Sequence, residues 1–311
     1  MKKDTLYLHV GWSKTGTSAI QSQIQAQRED FLARGILYPQ SLQWPDHSHH
    51  PFALSFQGSG VYKSSLTAEQ ALETLRAEME ASPAPDVLLS SELSPFYFDN
   101  AAFRRFVEAH FSRVKVLFTL RCQSELLLSL FNQLVKDPNI RYGTSLFSLA
   151  MRNLGRLNFY QGIKRWHEVV SSDNLIAVPY GKDVVARFLA VFGVAMRETQ
   201  GQGDGIVNPS LPTRCLAVVQ ARGRKATDNA DFIRIRDSVV EMASHVSEEH
   251  DQFILFSIAE QQTFDQHFRH DNQLLAKLMQ FDPGSIRKIE YRQIRALPPN
   301  IRLEKLAEVE A

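Results

Sequence analysis

The sequence predicts an α/β fold in which a parallel sheet is wound on both faces by helices. Three observations carry that expectation. Four apolar runs recur within the first 180 residues, segments of helical spacing separate them, and two of the runs are nearly continuous in apolar residues. Continuous runs suit strands buried on both faces.

The first run, TLYLHV (5–10), is short and alternating. After a loop of small residues, SAIQSQIQAQREDFLARG (18–35) places Ile20, Ile24, Phe31 and Leu32 near one helical face and stops at Gly35, a suitable C-cap. The segment 38–65, YPQSLQWPDHSHHPFALSFQGSGVYKSS, is rich in Pro, Ser, Gly and His. It is long for a connection and reads as a substrate loop or as partly disordered. TAEQALETLRAEMEAS sets Ala71, Leu72, Leu75 and Met79 on one side, with Thr67 as N-cap. The remaining runs are DVLLSSE (86–92), VKVLFTLR (114–121) and NLIAVPY (174–180), with helical segments on either side of the third strand. After about residue 208 the texture becomes helical. The expected organisation is one domain over 1–311, with an α/β nucleotide-binding core at 1–207 and a helical subregion at 208–311.

A chain of 311 residues with 44% hydrophobic content can bury a large core. With 35 basic and 34 acidic side chains the net charge is +1, so no whole-chain field favours nucleic acid or an acidic membrane, and any anion site has to be local. Two cysteines, Cys122 and Cys215, are too few for a disulfide framework or a metal knuckle. No run approaches the roughly 20 apolar residues of a membrane helix, and the first ten residues lack a signal-peptide core. A soluble, cytoplasmic protein without a metal is expected.

The loop after the first strand reads Gly11-Trp12-Ser13-Lys14-Thr15-Gly16-Thr17-Ser18. Backbone N–H groups of a glycine loop that opens a helix bind phosphate, and a lysine adds a point charge. The nucleoside-triphosphate form of such a loop is G-x-x-x-x-G-K-[ST]. Here the lysine precedes the second glycine by two places, so the motif is a different one, and no acidic strand end of the kind that holds magnesium is evident.

KTGTS after a first strand resembles the 5′-phosphosulfate loop of the sulfotransferases, enzymes that use 3′-phosphoadenosine 5′-phosphosulfate as sulfuryl donor. VKVLFTLRCQSELLLSLFNQLVK resembles their 3′-phosphate element, a strand ending in arginine with a serine eight residues on, here Arg121 and Ser129. The two elements follow in the family's order, about 105 residues apart. FYQGIKRWHEVVSSDNLIAVPYGKD, NPSL (208–211) and FRHDNQLLAKL (268–278) are similar to segments of bacterial-type carbohydrate and lipid sulfotransferases. The late glycine-rich loop with tryptophan of the cytosolic hormone and phenol branch is not visible.

The resemblance implies a P-loop-type three-layer α/β fold. It places Trp12, Ser13, Lys14, Thr15, Gly16, Thr17 and Ser18 on the donor's 5′ end, and Arg121 and Ser129 on its 3′-phosphate. Sulfuryl transfer resembles phosphoryl transfer in relying on positioning and charge stabilisation, and Lys14 is the group to meet the leaving oxygen. The acceptor hydroxyl needs a base. Glu92, at the end of the second run, is the first candidate. The His47, His49, His50 cluster is the second, represented by His50. Bland roles stay open: Glu92 as a cap or solvated strand end, the histidines as a polar loop, Tyr160 and Trp166 as core residues. The expected activity is sulfuryl transfer to a hydroxyl on a carbohydrate or glycolipid. A P-loop nucleotide or small-molecule kinase, or a non-catalytic nucleotide-binding module, are the alternatives.

Overall fold

A computed structural model of the chain describes residues 2–56, 64–93, 101–197, 210–243, 253–254, 258–279, 281–286 and 295–296. In chain order the elements are β1 (Lys3–His9), α1 (Thr17–Ala26), α2 (Arg28–Ala33), β2 (Ile36–Leu37), α3 (His50–Ser55), α4 (Ala68–Ala81), β3 (Asp86–Ser90), α5 (Ala101–His110), β4 (Phe111–Leu120), α6 (Gln123–Lys136), α7 (Leu146–Leu157), α8 (Phe159–His167), β5 (Leu175–Pro179) and α9 (Val184–Ala190). There follow α10 (Thr213–Gly223), α11 (Asn229–Ala243), β6 (Phe253–Ile254), α12 (Ile258–His267), α13 (Arg269–Met279) and β7 (Arg295–Ala296). The chain forms two compact units, one of Met1–Arg121, Phe159–Gly205 and Asn272–Ile286, the other of Cys122–Asn158, Ile206–Asp271 and Arg287–Ala311.

The first unit contains a five-stranded parallel sheet in the order β2-β3-β1-β4-β5. Strand β1 stands where the order turns, with β3 on one side and β4 on the other, registered as Leu6↔Val87 and Leu6↔Val114. Its sequence alternates, yet residues on both faces are buried, with Tyr7 partly exposed. Leu6 and Leu8 are enclosed, and so are Thr5 and His9. On the polar face His9 Nδ1 lies 2.8 Å from Ser90 Oγ, while its buried Nε2 has no hydrogen-bond partner, and the Thr5 backbone N–H donates to Asp86 Oδ1 at 2.9 Å. One core cluster joins Ile20 and Ile24 of α1, Phe31 of α2, Leu88, Leu117 and Val178 of the sheet, and Phe188 and Leu189 of α9.

Helix α4 starts as expected at Thr67. Thr67 Oγ1 accepts from the Gln70 N–H at 3.2 Å, and Gln70 Oε1 accepts from the Thr67 N–H at 2.9 Å. Gly35 takes a φ of +79° beyond α2. The single helix expected over 18–35 is two. Gln27 leaves helical angles, with its side chain drawn to the Ala195 carbonyl at 2.8 Å.

In the second unit, α6 buries Leu126, Leu127, Leu130 and Phe131 on one stripe. Its first turn is capped by Asp265, whose carboxylate accepts from the Ser124 N–H at 3.0 Å and the Ser124 hydroxyl at 2.8 Å. Burial, and then Asp265, push the neighbouring Cys122 thiol up to about 11. Among the described residues no helix is long and apolar enough to cross a membrane.

Candidate active site at the carboxyl ends of β1, β3 and β4

Parallel register aligns the carboxyl ends of three strands, the edge where open α/β sheets hold ligands. From β1 the chain continues in register with β4 before it turns: the Trp12 N–H donates to the Thr119 carbonyl at 3.0 Å, and the Thr119 N–H to the Gly11 carbonyl at 2.9 Å. Thr15 donates its hydroxyl to the Trp12 carbonyl, so the bond between the buried Thr15 and Thr119 hydroxyls has Thr119 as its donor. Three residues of the turn are left-handed, Gly11 (φ +85°), Lys14 (φ +67°) and Gly16 (φ +84°). Alternation of that kind points successive N–H groups into a concavity for an anion. Gly16 then opens α1 without a side-chain cap.

Lys14 is the residue that bears strain, because a β-carbon disfavours the left-handed region. Its ammonium pKa is lowered, chiefly by burial and then by the Arg121 charge, with Glu92 opposing. Arg121 follows β4, with Nη1 3.2 Å from the Lys14 carbonyl and its guanidinium 4.3 Å over the Tyr180 ring. Trp12 packs edge-on against Phe159, centroids 4.9 Å apart, and rests over Gly162. Ser13 is partly exposed and Ser18 exposed. Ser129 lies half-buried on α6, in the second unit. Trp166 is a core residue beside Phe118.

Glu92 lies two residues past β3 and faces the same loop. A β-carbon at Gly11 would stand 2.6 Å from the Glu92 β-carbon, so only glycine admits this approach. Thr17 Oγ1 donates to Glu92 Oε1 at 3.1 Å, and Gln21 Nε2 is 3.3 Å from Oε2. His50 Nε2 is 3.7 Å from the same Oε2, and its Nδ1 is 2.7 Å from Ser91 Oγ. Burial lowers the His50 pKa, with Glu92 and then Asp46 pulling the other way. The two groups therefore stand side by side next to the glycine loop.

The three loop histidines separate by geometry. His49 Nδ1 accepts from the Ser90 N–H at 3.1 Å, which leaves Nε2 to donate to the Pro39 carbonyl at 2.9 Å. Burial drives its pKa down to about 4. His47 has a φ of +66°, and its carbonyl accepts from the Tyr38 hydroxyl at 2.6 Å. Only His50 of the three meets Glu92. Lys14, Arg121, Glu92 and His50 thus share one edge of the sheet. The sequence reading missed Tyr180, Gln21 and Ser90. For Gln21 a signal existed, a polar residue one turn after Thr17 on the buried face of α1. Among the described residues no group of three His, Cys, Asp or Glu side chains is placed to hold a metal ion.

No family model matches the chain, and no curated protein matches it. Two solved structures are similar. One is a sulfotransferase from Alicyclobacillus acidocaldarius, at 15% identity and a TM-score of 0.49 over 91% of this chain and 98% of that one. The other is the sulfotransferase domain from the Synechococcus PCC 7002 olefin synthase, at 13% identity and a TM-score of 0.36 over 86% and 95%.

Proposed function

We propose that the protein is a sulfotransferase that takes a sulfuryl group from 3′-phosphoadenosine 5′-phosphosulfate. The observation that carries the reading is the left-handed, half-buried Lys14 in a glycine loop, with Arg121 on one side and the Glu92–His50 pair on the other. The loop N–H groups from Thr15 to Ser18 bind the 5′ end of the donor, and Lys14 meets the leaving oxygen as charge grows on it. Arg121 and Ser129, assigned to the 3′-phosphate by sequence resemblance, complete donor binding. Glu92, with His50 beside it, takes the acceptor's proton. A carbohydrate or glycolipid hydroxyl as acceptor, a cytoplasmic setting, and one domain built of a 1–207 core and a 208–311 helical part belong to the same reading and rest on the sequence.

Calorimetry with adenosine 3′,5′-bisphosphate, ATP with magnesium, and 5′-AMP tests it. Preferential binding of the bisphosphate, lost when the 3′-phosphate is removed, is the expected result. Preference for ATP with magnesium would overturn the proposal in favour of a kinase.

A further inference from the structure

We infer that Gln21 is a positioning residue that holds the Glu92 carboxylate in place against His50. The inference rests on the proposed role of Glu92 and His50 as the proton-accepting pair. Gln21 is 1% exposed on the apolar face of α1, where Ile20 and Ile24 pack into the core. A buried amide is costly unless its hydrogen-bonding groups are used. Here Nε2 reaches both Ser90 Oγ at 3.2 Å and Glu92 Oε2 at 3.3 Å. Thr17, one helical turn earlier, reaches the other carboxylate oxygen. Each oxygen of Glu92 therefore has its own neutral donor, both from one face of one helix.

That arrangement sets what His50 sees. At 3.7 Å the imidazole is beyond hydrogen-bond range of Oε2, close enough for charge and for a hydroxyl placed against both groups. The bond from the same Nε2 to Ser90 steadies the amide, because Ser90 is itself bound into β3 and bonded to His9 and His49. Other groups that act on the pair are Lys14 from the loop, Asp46 from the segment before α3, and the Tyr38 hydroxyl. Without the Gln21 donor, Oε2 turns its charge on His50, and an opposite charge favours the imidazolium.

The test is the titration of the His50 ring followed by NMR in wild type, Gln21→Met and Glu92→Gln, with bisphosphate affinity measured in parallel. Gln21→Met is expected to raise the His50 midpoint by about half a pH unit or more and to leave bisphosphate affinity unchanged. Glu92→Gln is expected to lower the midpoint. An unmoved midpoint in Gln21→Met, with a lowered one in Glu92→Gln, would overturn the positioning role alone. An unmoved midpoint in Glu92→Gln would remove the pair, and the inference with it. Absence of bisphosphate binding in the wild type would defeat the proposed donor while the His50 titrations still decide on Gln21. Should Gln21→Met fail to fold, Gln21→Leu removes the same donor with a shorter apolar side chain. Its His50 midpoint is expected to rise likewise, and no rise would overturn the inference.

Discussion

The guanidinium of Arg121 lies 4.3 Å over the ring of Tyr180 while its Nη1 reaches the Lys14 carbonyl at 3.2 Å. The fork is thus held over an aromatic face and tied to the glycine loop. Arg121→Ala is expected to weaken adenosine 3′,5′-bisphosphate binding by about 1.5–3 kcal/mol, the worth of hydrogen bonds to a charged group. Arg121→Lys should recover little, since an ammonium neither forks nor stacks in the same way. Unchanged affinity in both variants, measured by calorimetry, would remove Arg121 from the site.

Lys14 combines a charge with a left-handed backbone, and two substitutions separate them. Both Lys14→Ala and Lys14→Gly should lose about 2.7–4 kcal/mol of transition-state stabilisation, read as turnover of the sulfuryl donor. Glycine adopts the left-handed region freely, whereas alanine pays about 1 kcal/mol or more there. Thermal melts should therefore rank Lys14→Gly above Lys14→Ala. Equal melting temperatures would show that position 14 carries no strain.

Gly162 of α8 leaves space for Trp12, because a β-carbon there would stand 2.7 Å from the indole Cη2. Gly162→Ala should push the indole away from its contact with Phe159, costing about 1–3 kcal/mol as overpacking does. Urea unfolding gives the cost, and the fluorescence of the folded protein reports the indole's displacement. A variant as stable as wild type would mean that Trp12 yields easily.

His9 and His49 are fully buried, and burial holds their pKa values at about 3 and about 4. Their neutral forms are favoured in the folded state, so the unfolded chain binds more protons between those values and the ordinary 6.5. Stability contributed by each is complete above pH 6.5 and is lost as the pH falls through that window. At pH 5 the loss is on the order of 2 kcal/mol for each histidine. Urea midpoints at pH 7.5 and pH 5 should show the drop, and His49→Gln should reduce it. A drop of the same size in that variant would exclude His49 as a source.

The repeating strands, the Thr67 cap and the Gly35 stop were legible because each is a local pattern, a short run of residue types that settles its own geometry. The two-residue β2 was not, since a strand so short is defined by the Asp86 and Val87 positions it pairs with. Helix α7 was passed over, although Ser145 caps it. In the site, Lys14 and Arg121 stood out through the resemblance of the KTGTS loop and of the strand that ends in Arg121 to sulfotransferase elements. Tyr180, Gln21 and Ser90 act through contacts 59, 71 and 69 residues distant in the chain, which no local pattern encodes. The partners of His49 and His50 have the same origin: adjacent residues take different partners because α3 begins between them.

The ladder that runs on from β1 through Trp12 and Thr119 ties the first half of the glycine loop to the central strands of the sheet. Local opening draws on segments with few buried bonds, and this one has two backbone bonds and a buried hydroxyl pair. Amide hydrogens at Trp12 and Thr119 should therefore exchange only when the central strands separate. In the proposed enzyme such a cradle would stay shaped between turnovers, and an arriving anion would find its donors already ordered.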